Sequence, residues 1–187
     1  MPQTSVGTPA PVLYISRPSP WLFWHDHRIQ SGARVLDLAC GEGRHGLLAA
    51  QRGGVVTAID RDAAKLDIGK EAASRLGLTI DWRCTDLEGD WPQLGQFDVV
   101  LVFNYLDRRR MPAIRELVAP NGLLIMETFL DWQRDLGWGP TSPDHLLQPG
   151  ELAELAKPLE MIHGREVYEP LDAGRQRAVA SIVAQRR

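Results

Sequence analysis

Residues 35–46 read Val-Leu-Asp-Leu-Ala-Cys-Gly-Glu-Gly-Arg-His-Gly, an apolar run that passes into a glycine-rich turn and then into a helical pattern. The apolar run favours a buried parallel strand, and Gly41 and Gly43 permit a tight turn that a ligand can approach closely. The helix that follows offers free backbone N–H groups to a ligand. Asp37 would repel a phosphate but suits a positively charged group. The stretch therefore predicts a site for a nucleoside that carries a cation, in preference to a pyrophosphate.

Size and composition favour one globular domain. The chain has 187 residues, 44% of them hydrophobic, and a formal net charge of -3. This charge argues against a nucleic-acid partner. The two cysteines, Cys40 and Cys84, are too few for a disulfide framework or a metal cluster, so we expect no metal. Without a membrane-spanning run or a secretory signal pattern, we expect a cytoplasmic monomer or homodimer that does not bind a membrane.

Apolar β-type runs alternate with helical patterns from residue 33 onward, which predicts βαβ crossovers and a parallel sheet. The predicted strands are 35–39, 55–59, 79–83, 97–103, 123–128, 161–168 and 178–184, the last two forming an antiparallel hairpin. The predicted helices are 44–52, 62–76, 111–118 and 151–156, besides a short helix that Ser19 caps. Five prolines within residues 1–20 indicate a flexible arm, which we take as 1–18, followed by a single domain over 19–187. In that domain we expect 33–128 to form the cofactor half and the irregular segment 129–150 an acceptor loop.

Polar residues follow the predicted strands at their carboxyl ends, where parallel sheets bind ligands. Asp60 lies about 20 residues beyond the glycine turn, where a carboxylate can accept both ribose hydroxyls. Asp60 could instead cap the next helix, although Asp62 is also placed to do so. Asp86 can accept from the exocyclic amine of adenine while Leu87 packs on the ring, or both can belong to a solvated turn.

These residues carry a family resemblance over about 33–128. The stretch 35–43 with Asp60, Asp86-Leu87, the strand 97–103 and Pro120-Asn121-Gly122-Leu123-Leu124 resembles class I S-adenosylmethionine-dependent methyltransferases. More narrowly, residues 39–45, Asn104-Tyr105-Leu106 and Glu127-Thr128-Phe129 resemble the small tellurite-resistance-like methyltransferases. The resemblance implies an α/β fold with a Rossmann-like, doubly wound, seven-stranded and mostly parallel sheet that ends in an antiparallel hairpin. It also implies S-adenosyl-L-methionine as the cofactor. A glycine is frequent in the family where Ala39 stands.

The cofactor contacts that we expect fall at the ends of four strands. Asp37 would serve the cofactor ammonium directly or through water, while the N–H groups of the turn would meet its carboxylate. The expected cofactor-binding residues are Asp37, Ala39, Cys40, Gly41, Gly43, Arg44, Asp60, Arg61, Asp86, Leu87, Asn104 and Tyr105.

The acceptor side offers candidates without a recognisable constellation. We take Tyr105, His145 and His25 as catalytic candidates, and Glu127 and Trp138 as further members of the same pool. Trp21 and Trp24 could form a lid over the cofactor or belong to the core. The basic run Arg108-Arg109-Arg110 could select an anionic acceptor or simply begin a solvated helix.

The function that we expect is methyl transfer to a small-molecule acceptor, and the resemblance makes a thiol or a chalcogen oxyanion a candidate for it. Alternatives are a protein or RNA acceptor and a non-catalytic module that binds the cofactor. Residues 41–46 also match the G-x-G-x-x-G pattern of NAD enzymes, but Asp37 and the lack of a substrate domain argue against an oxidoreductase.

Overall fold

The computed structural model describes residues 16–89, 91 and 93–187. Its seven strands form one sheet in the order β3-β2-β1-β4-β5-β7-β6. Neighbouring strands from β3 to β5 are parallel, and β7 runs antiparallel to both β5 and β6. The predicted doubly wound sheet and its terminal hairpin are therefore confirmed. The strands are β1 Arg34–Leu38, β2 Val55–Asp60, β3 Ile80–Cys84, β4 Phe97–Phe103, β5 Val118–Phe129, β6 Glu160–Pro170 and β7 Gln176–Gln185.

The helices begin at the caps that the sequence indicates. Ser19 accepts from the backbone N–H of Trp21 at 3.1 Å, and Asp62 accepts from that of Lys65 at 3.2 Å. The α-helices are α1 Pro20–His25, α2 Arg44–Gln51, α3 Ala63–Arg75, α4 Met111–Glu116 and α5 Glu151–Ala156. Short 3₁₀ turns occupy Asp26–Arg28, Arg108–Arg110, Asp131–Leu136, Pro143–His145 and Asp172–Gly174. No helix in the described part of the chain is long and apolar enough to cross a membrane.

The core has two halves, one on each face of the sheet. Leu36 and Leu38 belong to the half that also contains residues of α4 and α5, whereas Val35 belongs to the half with residues of α1, α2 and α3. Successive side chains of a strand point to opposite faces, and the consecutive burial of Val35, Leu36, Asp37 and Leu38 is what a strand covered on both faces shows. Residues 1–15 lie outside the described residues, so the flexible arm and the domain bounds stay predictions.

The start of β5 differs from the prediction. The turn at Pro120-Asn121-Gly122 was expected to precede the strand, but β5 already begins at Val118. Val118 pairs with Phe97, and the register then shifts so that Leu123 pairs with Val99. Asn121 adopts a φ of 62°, so the turn is a bulge within the strand.

Strand order reverses between β1 and β4, because β1 pairs with β2 on one side and with β4 on the other. The chain therefore leaves the carboxyl ends of these two central strands in opposite directions. In open α/β sheets such a point leaves a crevice in which ligands bind.

Candidate active site

A cavity of about 1070 Å³ opens at the carboxyl ends of the parallel strands, and we refer to it as the cleft. Its walls come from the glycine turn, from the segments after β2, β3 and β4, and from the turn Pro143–His145. The lining residues are Ser16, Ala39, Cys40, Gly41, Glu42, Arg44, His45, Asp60, Arg61, Lys65, Asp86, Leu87, Glu88, Phe103, Asn104, Tyr105, Leu106, Asp107, Arg108, Arg109, Asp144 and His145.

The two glycines of the turn are needed for different reasons. Gly41 lines the cleft with a φ of 58°, and a Cβ added there would meet nothing within 4 Å. Gly43 has a φ of 72° at the N-terminus of α2, and a Cβ there would overlap the indole ring of Trp82. The structure therefore places Gly41 at the ligand surface and Gly43 in the packing beneath it. Ala39, where the family often has glycine, has a φ of 55°, in the region that glycine favours.

Asp60 joins the end of β2 to the glycine turn. Its Oδ2 accepts from the backbone N–H of Gly41 at 2.7 Å, and its Oδ1 accepts from that of Asp62 at 2.9 Å. Each carboxylate oxygen has a second lone pair, so both oxygens can still accept from a pair of ribose hydroxyls. Asp62 caps α3 instead, as the sequence suggested.

Asp37 does not belong to the cleft lining. Its carboxylate is buried and accepts from the backbone N–H of Gly46 at 2.7 Å, which ties β1 to the first turn of α2. Burial raises the pKa of Asp37 from 3.8 to about 7, and the nearby Asp60 adds to this, while Gly46 and Arg44 oppose it. This side chain faces α2, which does not support a direct contact with the cofactor ammonium, and the contact through water stays a prediction.

Arg44 and Cys40 line the cleft next to the turn. Arg44 donates to the carbonyl of Arg17 at 3.2 Å. Burial and the charge of Arg177 lower the pKa of Arg44, so an anionic ligand group beside it would relieve an unfavourable environment. Burial raises the pKa of the Cys40 thiol far above its usual range, so Cys40 is protonated and does not supply a nucleophile.

The far end of the cleft on the β3 side fits an adenine ring. Leu87 is buried and lines the cleft, as does Asp86, whose Oδ1 accepts from the backbone N–H of Glu88 at 2.9 Å. Arg61 pairs with Glu88 at 2.9 Å on the same wall. An apolar face beside a carboxylate acceptor matches the ring and the exocyclic amine of a purine.

Tyr105 and His145 also line the cleft, and we refer to the part lined by Tyr105 and the turn Pro143–His145 as the acceptor end. The Tyr105 hydroxyl is buried and has no hydrogen-bond partner among the described residues. Burial and the charge of Asp107 raise the pKa of Tyr105, so at neutral pH the hydroxyl is a donor and not a base. His145 is exposed at the mouth of the cleft. Asn104 follows β4 with a φ of 56°, and its backbone N–H donates to the carbonyl of Glu127 at 2.9 Å.

His25 lies away from the cleft, which removes the geometric basis for a catalytic role. Its ring stacks on His163 of β6 at 5.1 Å and packs against Trp21 at 4.4 Å. Burial, followed by the neighbouring charges of His163 and Arg28, lowers the pKa of His25 to about 4. Trp21 is buried and donates from Nε1 to the carbonyl of Ile182 at 3.1 Å, so it belongs to the core and not to a lid.

Glu127 is also no part of the cleft lining. Its carboxylate accepts from Ser19 at 2.6 Å and from Ser181 at 2.7 Å, and it pairs with Arg177 at 2.7 Å and Arg165 at 3.1 Å. This cluster fastens the segment before α1 to the terminal hairpin. The sequence pattern did not reveal it, because its members lie far apart along the chain.

Several lining residues were not expected. Lys65 and Phe103 lie in segments that the sequence analysis had assigned to helix and strand without a role in binding, and Asp144 lies in the expected acceptor loop without having been singled out. Asp107 carried a recognisable signal, because an acidic residue before a helical turn is a capping pattern. Its Oδ1 accepts from the backbone N–H of Arg109 at 3.0 Å.

The residues present fit S-adenosylmethionine. Asp60 and Leu87 offer partners for ribose and adenine, Arg44 offers a cation to the carboxylate at the methionine end, and the partnerless Tyr105 hydroxyl points to a polar ligand atom nearby. The cation-bearing nucleoside that the sequence predicts thus finds matching groups along the whole cleft.

Comparisons with known proteins agree with this geometry. The sequence profile of a methyltransferase domain family matches residues 35–122. A ubiquinone biosynthesis O-methyltransferase of Methylocella silvestris is 29% identical over 165 residues, which cover 76% of this chain and 64% of that protein. The enzyme of the same name from Pseudomonas aeruginosa is 34% identical over 112 residues, which cover 56% of this chain and 48% of that protein. The chain thus spans less than two thirds of these relatives.

Solved structures share the fold at lower sequence identity. TehB from Haemophilus influenzae has a TM-score of 0.73 and 22% identity, over 88% of this chain and 61% of TehB. The N-methyltransferase NodS from Bradyrhizobium japonicum, in complex with S-adenosyl-L-homocysteine, has a TM-score of 0.66 and 16% identity, over 89% of this chain and 88% of NodS. Residues 35–122 are therefore similar to a methyltransferase domain, and the chain shares its fold with TehB and NodS.

Proposed function

We propose that this chain transfers a methyl group from S-adenosylmethionine to a small-molecule acceptor bound at the acceptor end of the cleft. The observation that carries the proposal is the position of Asp60, which binds the glycine turn and still presents free lone pairs to the cleft. Such a carboxylate suits a ribose with two free hydroxyls.

The cofactor supplies a methyl group on a positively charged sulfur. Methyl transfer is an in-line displacement, so alignment of the acceptor with the methyl carbon can supply much of the catalysis. The chain's contribution is to bind and orient. Asp60 would hold the ribose, Leu87 the adenine and Arg44 the carboxylate, while the protonated Tyr105 would donate a hydrogen bond at the junction with the acceptor end.

The acceptor end restricts the chemistry of the acceptor. Tyr105 keeps its proton at neutral pH, so His145 is the remaining candidate for taking a proton from an alcohol or phenol. A thiolate or a chalcogen oxyanion would need no base. The curated relatives are named for transfer to oxygen, which supports a hydroxyl acceptor as a further possibility. The cytoplasmic location and the monomeric or homodimeric state remain predictions.

The test combines binding with turnover. Calorimetry should detect S-adenosylhomocysteine binding to the purified chain, with one site per chain. Methyl-labelled S-adenosylmethionine should then give labelled products with mercaptoethanol, sodium tellurite, catechol or a metabolite extract. A folded chain that does not bind S-adenosylhomocysteine contradicts the proposal. Binding without any labelled small molecule favours the non-catalytic module, and label in protein or RNA favours a macromolecular acceptor.

A further inference from the structure

The run Arg108-Arg109-Arg110 forms a single 3₁₀ turn, separated from the end of β4 by four residues. A 3₁₀ helix has three residues per turn, so three successive side chains diverge by about 120°. Asp107 starts the turn by accepting from the backbone N–H of Arg109 at 3.0 Å. The three guanidinium groups consequently leave one point of the chain in three directions.

Arg108 reaches the loop at the acceptor end. Its Nε and Nη2 donate to the two carboxylate oxygens of Glu151 at 2.5 and 3.0 Å, and Nη2 also donates to the carbonyl of Leu146 at 2.7 Å. Its Nη1 donates to the carbonyls of Pro143 and Asp144, both at 3.3 Å. One side chain therefore holds most of the turn that carries His145.

Glu151 completes this link from the other side. Its Oε2 also accepts from the backbone N–H of Gln148 at 2.8 Å, so the carboxylate fixes the segment between the turn and α5. The hydrogen bonds between the two side chains raise the pKa of Arg108 and lower that of Glu151. Both groups are partly shielded from solvent, which makes a two-bond pair worth more than an ordinary surface pair.

Arg110 reaches the opposite wall. Its Nη2 donates to the carbonyls of Glu88 and Gly89 at 2.8 and 2.6 Å, and its guanidinium lies 5.6 Å from the ring centroid of Trp91. The indole Nε1 of Trp91 donates in turn to the carbonyl of Leu87 at 2.7 Å. These contacts fix the segment that carries the adenine-facing Leu87.

Arg109 makes no comparable link to either wall. Its side chain is 88% exposed, and its Nε lies 3.4 Å from Oδ1 of Asp107 in the same turn. It therefore provides a matched control, because it has the same charge and lies in the same turn as Arg108 and Arg110.

We propose that Arg108 and Arg110 are positioning residues that hold the two walls of the cleft at a fixed separation. Arg108 sets the acceptor wall with His145, and Arg110 sets the adenine wall with Leu87. This inference rests on the proposed function for the meaning of the two walls. Arg108 is not free to neutralise an anionic acceptor, since the loop carbonyls and Glu151 already take its donors. Arg110 is not among the residues that line the cleft.

The first experiment is hydrogen exchange on the chain without cofactor, with the variants Arg108→Gln, Glu151→Gln, Arg110→Gln and Arg109→Gln. The first two should each speed exchange of the amides at 145–148 by about tenfold and leave those at 86–89 unchanged. Arg110→Gln should do the reverse, and Arg109→Gln should change neither set. Equal acceleration of both sets in every variant, or no acceleration, overturns the proposal.

The second experiment separates positioning from general loss of stability. Arg110→Gln should raise the Kd for S-adenosylhomocysteine by about fivefold or more. Arg108→Gln should leave that Kd unchanged and raise the KM for whichever of mercaptoethanol, sodium tellurite or catechol the wild type methylates. In double variants, the free-energy changes caused by Arg108→Gln and Glu151→Gln should not add, because both substitutions remove the same Arg108–Glu151 pair. Those caused by Arg108→Gln and Arg110→Gln should add, because the two arginines hold different walls. Additive free-energy changes for Arg108→Gln and Glu151→Gln overturn the proposal. If Arg108→Gln does not fold, Arg108→Lys, which cannot bind Glu151 through two parallel bonds, replaces it.

These two arms also keep the inference apart from the proposed function. A wild-type chain that fails to bind S-adenosylhomocysteine contradicts the proposed function. Faster exchange confined to the loop that each variant should release would still support the positioning role of Arg108 and Arg110. Conversely, if the wild type binds S-adenosylhomocysteine but each variant speeds exchange equally in both loops, only the positioning role is contradicted.

Discussion

Replacement of Asp60 by alanine should cause a large and specific loss of cofactor affinity. In the structure this carboxylate accepts from the backbone N–H groups of Gly41 and Asp62 at 2.7 and 2.9 Å. Its remaining lone pairs are those that we assign to the two ribose hydroxyls. The substitution removes both expected ribose bonds, and it also releases the N–H of Gly41 in the turn that lines the cleft.

The size of the effect follows from the two bonds. A hydrogen bond to a charged group contributes about 1.5–3 kcal/mol, so two such bonds contribute about 3–6 kcal/mol. Since about 1.4 kcal/mol corresponds to a tenfold change in affinity, Asp60→Ala should raise the Kd at least about a hundredfold. Asp60→Asn keeps one acceptor oxygen without the charge, and we expect an intermediate loss of about tenfold.

Calorimetry with S-adenosylhomocysteine measures these changes without turnover. Asp62→Ala is the matched control, because Asp62 lies two residues away and outside the cleft lining, where it caps α3 through the N–H of Lys65 and pairs with the Lys65 ammonium at 3.7 Å. That variant should lose about 1 kcal/mol of folding stability and keep its Kd within about twofold. If Asp60→Ala folds and binds within about threefold of the wild type, the ribose assignment is refuted.

Three further variants test the surroundings of the cleft. The pKa of Asp37 is raised from 3.8 to about 7, so the folded state retains a proton that the unfolded chain loses, and stability should fall as the pH rises through that window. In urea denaturation at about pH 5 and about pH 8, Asp37→Asn should flatten this decline, by up to about 2.6 kcal/mol, and an unchanged decline would speak against the burial of a titrating carboxylate. Gly69→Ala should lower the Tm despite the better helix propensity of alanine, because the new Cβ would lie 2.5 Å from the ring of Trp82; a higher Tm would disprove the close packing. Glu127→Gln should cost about 3–5 kcal/mol of stability, since it removes the charge 2.7 Å from the buried Arg177, and an altered Kd for S-adenosylhomocysteine would mean that Glu127 acts on the cleft.

The sequence predicts most of the fold because local patterns determine it. Apolar runs predict β1 and β4 to within one residue of their observed bounds, and capping residues predict the starts of α1 and α3. The start of β5 was missed for a physical reason. Asn121 adopts a left-handed conformation, which is typical of a turn, yet the pairing on either side continues through it as a bulge.

The candidate site is only partly readable from the sequence. Residues at the carboxyl ends of parallel strands share one edge of the sheet, so Asp60, Leu87 and Tyr105 could be expected to meet, and all three line the cleft. Asp37 shows the limit of this reasoning. Leu36 and Leu38, on either side of it in β1, point to the face that α4 and α5 cover. Asp37 therefore points to the opposite face, where it accepts from the N–H of Gly46 in α2.

The acceptor end resists prediction because the proposed reaction needs few special groups there. A displacement at a methyl carbon depends on alignment more than on a dedicated nucleophile, so the sequence need not contain a diagnostic constellation. Alignment is instead set by distances between segments such as those that Arg108 and Arg110 join, and the Arg108–Glu151 pair spans 43 residues. A pattern read along the chain cannot measure such a distance. For a site of this kind, the residues that fix the walls are therefore more informative about acceptor size than the residues that face the acceptor.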